Sequence, residues 1–178
     1  MKKNLKLILE VLSLFVVTYL IFHYLLLPVT INGHSMYPYL QDDEVLIMDA
    51  VHTGKDDIKR FDIVVLYSDD LGKLIIKRVI GLPGETVIYK DDKLYVNGQY
   101  YQEDFLNQDY VEESKKNHQT THFTDDFEVT LTDDEYYVLG DNRIVSLDSR
   151  ALGPIKHKDI KAKNGLVVYP FNEMKWMD

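Results

Sequence analysis

Apolar and polar positions divide the chain into two regimes. From Leu7 to Leu27 apolar residues run almost unbroken, LILEVLSLFVVTYLIFHYLLL, with Glu10 the only acidic residue among them. A helix over this 21-residue run spans roughly 30 Å, the thickness of a bilayer's hydrocarbon core. After Pro28 the pattern changes to short apolar runs punctuated by turn residues. Residues 29–40 read as extended chain. Strands are predicted over 44–48 (EVLIM), 62–67 (DIVVLY) and 73–80 (KLIIKRVI), the second apolar on both faces. Leu82-Pro83-Gly84-Glu85 marks a turn. Residues 86–90 and 93–96 flank Asp91-Asp92 and precede Asn97-Gly98, a hairpin signature. Residues 99–126 are polar and irregular. They read as an inserted loop within a small cap at about 91–136. Strand pattern resumes over 127–131, 135–139 and 163–170, the last centred on Gly165-Leu166-Val167-Val168-Tyr169, and no helical period of 12 or more residues follows Pro28. The expected fold is mainly β, a barrel or sandwich with a small cap insertion, preceded by one transmembrane helix. The expected division is 1–27 for a cytoplasmic tip and anchor and 28–178 for an extracytoplasmic domain.

Charge fixes the expected orientation. Lys2, Lys3 and Lys6 precede the apolar run, and the positive-inside rule then leaves the N-terminus in the cytoplasm and everything after Pro28 outside. A cleavable signal peptide is the competing reading. Its apolar region would be shorter, about 7–15 residues, and the nearest small-x-small triplet, Gly33-His34-Ser35, lies beyond the run. Net charge is −9; the first 28 residues carry three lysines against one glutamate, which leaves −11 on the rest. That acidic remainder argues against a nucleic-acid partner, whose phosphates need clustered Lys and Arg. The absence of cysteine excludes disulfides, thiol nucleophiles and thiolate metal sites. Thirteen tyrosines with many Val and Ile residues favour strands.

Two residues in separate segments then acquire chemical meaning. Ser35 lies in Gly33-His34-Ser35-Met36-Tyr37-Pro38, and Lys77 in Leu74-Ile75-Ile76-Lys77-Arg78-Val79-Ile80-Gly81. By itself the first is an ordinary turn serine, and a strand lysine usually snorkels to the surface. Strand alternation puts Ile75, Lys77 and Val79 on one face and Ile76, Arg78 and Ile80 on the other, so the lysine's face is apolar. Burial among such residues lowers an ammonium pKa and makes a neutral amine available as a base. A Ser–Lys pair can then perform acyl transfer without histidine or cysteine. A third segment, Gly140-Asp141-Asn142-Arg143-Ile144-Val145-Ser146-Leu147-Asp148-Ser149-Arg150, reads as a polar loop closed by Asp–Arg pairs, and equally as a rigid second layer around an amine.

These boxes, together with the anchor, Arg60-Phe61-Asp62-Ile63-Val64-Val65 and the run from Lys77 to Glu85, resemble a bacterial type I signal peptidase of the Gram-positive kind over nearly the whole chain. The resemblance implies Ser35 as nucleophile and Lys77 as general base. It implies that the Ser146 hydroxyl holds the Lys77 amine, that Asp148 and Arg150 pair to brace the loop, and that Asp141 braces Arg78. The Ser35 N–H would stabilise the oxyanion. Some family members add a serine hydroxyl two residues before the nucleophile; here that residue is Gly33. The implied substrates are exported preproteins with small residues at −3 and −1, bound in shallow pockets lined by Ile31, Met36, Leu40, Ile75 and Ile76, with Val29 and Val65 contributing. An extended substrate would pair with the edge of Val29–Gly33. The implied partners are thus preprotein substrates and, through the N-terminal helix, membrane lipid, with no cofactor and no metal. Phe61 departs from the family, which commonly has glycine there, and Asn32 stands where some relatives have proline.

The histidines point elsewhere. His118 and His122 share an i, i+4 spacing but lie in the polar loop, without a helical pattern to align them. His34 adjoins Ser35 and points the other way in extended chain. His23, with Tyr24, is expected near the outer membrane interface. A self-cleaving Ser–Lys repressor would need a DNA-binding module in place of the anchor. A membrane-tethered binder that presents peptides without cutting them is the alternative of a different class.

Overall fold

The computed structural model describes residues 2–177; the side chains of residues 2, 3 and 21–24 lie outside the described set, and with them the expected placements of Lys2, Lys3, His23 and Tyr24. Helix α1 is Lys2–Tyr24. It exposes Leu7, Ile8, Leu12, Leu14, Phe15 and Tyr19 rather than packing them on the rest of the chain. Among the described residues no helix is long and apolar enough to cross a membrane. Leu26 and Leu27 belong to a strand and not to the helix, because Pro28 disfavours helical geometry just before it.

The strands are β1 (Leu26–Thr30), β2 (Val45–Asp49), β3 (Ile63–Ser68), β4 (Lys73–Gly81), β5 (Thr86–Lys90), β6 (Lys93–Val96), β7 (Gln99–Tyr101), β8 (Phe127–Thr130), β9 (Glu135–Leu139), β10 (Ile155–Lys156), β11 (Ile160–Tyr169) and β12 (Lys175–Met177). Helix α2 (Gln108–His118) follows β7, and the short α3 (Ser149–Leu152) follows β9. The larger sheet runs β1-β2-β11-β3-β4-β9-β10, with β12 paired to β11. Every pairing is antiparallel. The sheet is open: β1 and the two-residue β10 stand at opposite ends of the strand order, so no barrel closes. Pro28 is tolerated in β1 because an end strand needs no N–H on its free side.

A second antiparallel sheet, β7-β6-β5-β8, holds the segment expected as a cap and begins at Thr86, before the expected limit near residue 91. α2 lies where the sequence reads as irregular. Asn107 caps its N-terminus by accepting from Tyr110 N–H, and Gln119 closes it in the left-handed conformation. It buries only Val111 and Ser114, which is why no apolar stripe announces it.

Three cores follow from the alternation. Ile63 and Val65 of β3 enter a core with Ile31, Met36, Leu40 and Ile76. Val64 and Leu66 enter a second with Val79, Tyr136 and Val138. Ile80, Tyr137 and Leu139 join Val87, Tyr89, Leu94 and Val96 in a third, which fastens the second sheet onto the ends of β4 and β9. Each such aliphatic side chain contributes about 1.5–3 kcal/mol on burial.

Candidate active site

The segment from Ile31 to Leu40 turns back over the first core. Its ends are held by Ile31 N–H on Glu44 O (2.8 Å) and Asp43 N–H on Ile31 O (3.1 Å). Gly33 donates its N–H to Asp42 Oδ1 (2.7 Å) and sits at φ +98°, a conformation L side chains rarely adopt. Space beside it is open, so backbone geometry rather than crowding calls for glycine. Met36 and Leu40 are buried beneath and leave Ser35 half-buried at the surface.

Lys77 comes from the other side. β4 pairs β3 from Lys73 to Arg78 but meets β9 only from Arg78 onward, so the edge at Leu74–Lys77 is open where β9 has already turned away at Gly140. Lys77 is 3% exposed. Its Nζ lies 2.8 Å from Ser35 Oγ and donates to Ile76 O at 2.9 Å. Burial pulls the amine down to about 8, against the opposing pull of Asp148 and Asp141; the charge of Lys73 acts with burial.

The loop from Gly140 to Arg150 buttresses both groups. Asp141 grips Arg78 through two bonds of 2.8 and 2.7 Å, both side chains fully buried. Asp148 takes Arg150 Nε and a terminal guanidinium nitrogen at 2.9 Å each, and accepts the Gly140 N–H at 3.0 Å. Burial pushes the Asp148 carboxyl up, but Arg150 and the Gly140 N–H outweigh it and hold it below the usual carboxylate range. Ser146 departs from its expected contact. The Lys77 amine bonds the Ile76 carbonyl instead, and the buried Ser146 hydroxyl makes no bond to it.

Of the expected pocket residues, Ile31, Met36, Leu40, Val65 and Ile76 cluster together with Val29 against them. Ile75 does not join them; it packs on the opposite side of β4 with the second core, as strand alternation requires. His34 is exposed. His118 ends α2 with its Nδ1 on Ser114 O (3.0 Å). Among the described residues no three His, Asp or Glu side chains are grouped to hold a metal.

Three contacts escaped the sequence reading. Asn142 donates its N–H to Ser35 O (3.0 Å) and its Nδ2 to His34 O (3.1 Å), so it holds the backbone on which the serine stands. A Cβ at Gly140 would lie 2.4 Å from Ser35 O and 2.2 Å from Ser146 Oγ. Arg143, expected only as part of a polar loop, is fully buried and reaches Tyr89 of the second sheet. The run Gly140-Asp141-Asn142-Arg143 was visible as a dense polar turn after a strand, but nothing local tells which partner each side chain takes.

Comparisons with known proteins bear on the family. A family model described as "Signal peptidase, peptidase S26" matches residues 4–169. Signal peptidase I U of Bacillus subtilis is 39% identical over 169 residues, covering 93% of this chain and 89% of that one. Signal peptidase I S of the same organism is 40% identical over 162 residues, 90% and 86% of the two chains. The crystal structure of a signal peptidase I from Enterococcus faecalis superposes with a TM-score of 0.51 at 39% identity, covering 59% of this chain and 94% of that one. With a family model spanning most of its length and relatives near 40% identity, the chain belongs to the signal peptidase family, peptidase S26.

Proposed function

We propose that the chain is a signal peptidase I that removes N-terminal signal peptides from exported preproteins, with Ser35 as nucleophile and Lys77 as general base. The observation that carries the mechanism is a buried amine 2.8 Å from a serine hydroxyl. In its neutral form Lys77 accepts the Ser35 proton while Oγ attacks the scissile carbonyl. The Ser35 N–H has no acceptor among the described residues and is available to the developing oxyanion. The ammonium then protonates the leaving amine, and the acyl-enzyme is hydrolysed when the regenerated amine activates water. Asp148, Arg150, Asp141 and Arg78 hold the surroundings. Ile31, Met36, Leu40, Val65, Ile76 and Val29 wall the pockets, and branched walls admit only small residues at −3 and −1. The open edge at Leu74–Lys77 and the free side of β1 offer backbone groups to an extended peptide.

Residues 1–27 serve as cytoplasmic tip and single membrane anchor, with residues 28–178 outside. Support comes from the exposed apolar surface of α1, the lysines in its first turns, and a 23-residue length, about 34 Å at 1.5 Å per residue. The test is cleavage of a small-x-small precursor in detergent. Ser35→Ala and Lys77→Ala should each abolish it. Lys77→Arg should also fail, because a guanidinium never supplies a free base. Full turnover by either alanine variant refutes the dyad, and binding without cutting by the unaltered chain identifies a peptide-presenting protein instead.

A further inference from the structure

The second sheet sends one short segment back into the catalytic layer. Between β7 and α2, Glu103 places its carboxylate on Arg143, Oε1 at 2.5 Å and Oε2 at 3.4 Å from the two terminal nitrogens. Tyr89, kept protonated by burial, donates to the same carboxylate and accepts from Arg143 at 2.8 Å. Thr124 Oγ1 accepts from Arg143 as well (3.2 Å). Arg143 in turn donates its Nε to Gly140 O (3.0 Å), and its own carbonyl accepts from Arg150 (2.6 Å). Gly140 is the residue against which Ser35 O and Ser146 pack.

Two residues after Glu103, the Phe105 ring lies 4.0 Å from the Arg78 guanidinium and 5.1 Å from the Phe61 ring. Phe61 stands at φ +73° and its carbonyl accepts from Arg78 (2.9 Å). A bulky residue in that conformation is strained and persists only where its surroundings hold it, here against Phe105. α2 adds a third contact, Tyr110 edge-on to Tyr37 at 5.1 Å, two residues past the nucleophile. One insertion thus touches the serine segment, the lysine strand and the supporting loop.

We propose that Glu103 and Phe105 are positioning residues for catalysis: Glu103 sets the Gly140–Arg150 loop through Arg143, and Phe105 sets the lysine strand through Arg78 and Phe61. The inference rests on the Ser35–Lys77 reading. It makes the cap a working part of the active site rather than a peripheral insertion.

The test uses the full chain in detergent with a small-x-small precursor. Cleavage by the unaltered chain and none by Lys77→Ala secures the underlying reading; no cleavage by the unaltered chain overturns that reading and this inference with it, whereas the variant outcomes that follow bear on this inference alone. Glu103→Gln should lower kcat roughly 10- to 100-fold, with KM changed less than about twofold. The pH midpoint of kcat should move up from about 8, because a loosened loop admits water to Lys77 while Asp141, Asp148 and Lys73 stay in place. A variant that is merely less stable loses active enzyme without moving that midpoint. Arg143→Met should behave alike, and the double variant should be no worse than the worse single one, since both act through one link. Should Glu103→Gln fail to fold, the double variant, which leaves no buried charge unpaired, carries the same readouts. Phe105→Leu disturbs no charge pair and should raise the midpoint too. An unmoved midpoint with kcat near that of the unaltered chain, or losses that simply add, overturns the proposal.

Discussion

On the proposed dyad, Lys77 decides the chemistry because burial outweighs the carboxylates that oppose it. Burial disfavours its charge, and Asp148 and Asp141 favour it; burial wins and leaves the amine near 8. A stronger carboxylate field would keep it charged at neutral pH, and a wetter site would return it to about 10.4. The rate of Ser35 acylation should therefore rise with pH through about 8 and then level off, as the neutral fraction grows. A profile flat from pH 6 to 10, measured under single turnover, speaks against a buried base. The same shift has a cost in stability, of opposite sign to that of a lysine that gains a partner. The folded chain holds this proton more weakly than the unfolded chain does. It is destabilised by about 3 kcal/mol below pH 8, and the cost fades as pH rises from about 8 to about 10.4. Lys77→Met should be inactive and more resistant to urea at pH 7, with the advantage gone near pH 10.5. An advantage that does not change with pH would show that the amine is not the source.

Elements place these residues, and they were unequally legible. β5, β6 and β9 fall where the alternation put them, and β2, β3 and β4 within a residue or so, because half-buried strands print their period in the sequence. β11 begins at Ile160, three residues before its predicted start at Lys163, because Lys161 interrupts the apolar pattern there. α2 was invisible because one valine and one serine are all it buries. At the site, Ser35 and Lys77 were legible as types in a setting. Asn142, Glu103 and Phe105 were not, since their meaning lies in contacts with segments far away in the sequence, up to 108 positions for Asn142. Gly140 marks the junction of β9 with the supporting loop, and its lack of a side chain is what lets the serine backbone approach. Gly140→Ala has to displace Ser35 O, which would otherwise lie 2.4 Å from the new methyl. Because that oxygen is backbone, the nucleophile moves with it. The expected result is a loss of roughly 100-fold in kcat with circular dichroism unchanged; retention of most activity would mean that the serine segment can shift without harm.

At the scale of the whole molecule, the catalytic sheet and α1 are joined by a connection of one residue. α1 ends at Tyr24 and β1 begins at Leu26, while Leu25 O accepts from Ala50 N–H (3.1 Å) beside β2. With so short a tether, the helix end and the open side of the sheet have to travel together. The outer face next to that junction is apolar. Register pairs Pro28 with Ile47, Ile47 with Leu166 and Leu166 with Trp176, a row that crosses four strands and ends on a 72% exposed tryptophan. Phe171 is exposed nearby in sequence, at 78%. An apolar row rimmed by aromatics beside an apolar helix is suited to a bilayer surface, where the cleavage site of a membrane-inserted precursor emerges. If α1 is the anchor proposed above, its gain is local concentration rather than chemistry. A chain lacking residues 1–24 keeps β1, the Ser35–Lys77 contact and the second sheet. It should cleave a short soluble peptide with kcat/KM close to that of the full chain. Toward a precursor embedded in the same vesicles its rate should fall by roughly 100-fold or more, since the second encounter is no longer confined to a surface. Equal losses on both substrates would place α1 within the catalytic fold itself, and no loss on either would remove the case for an anchor.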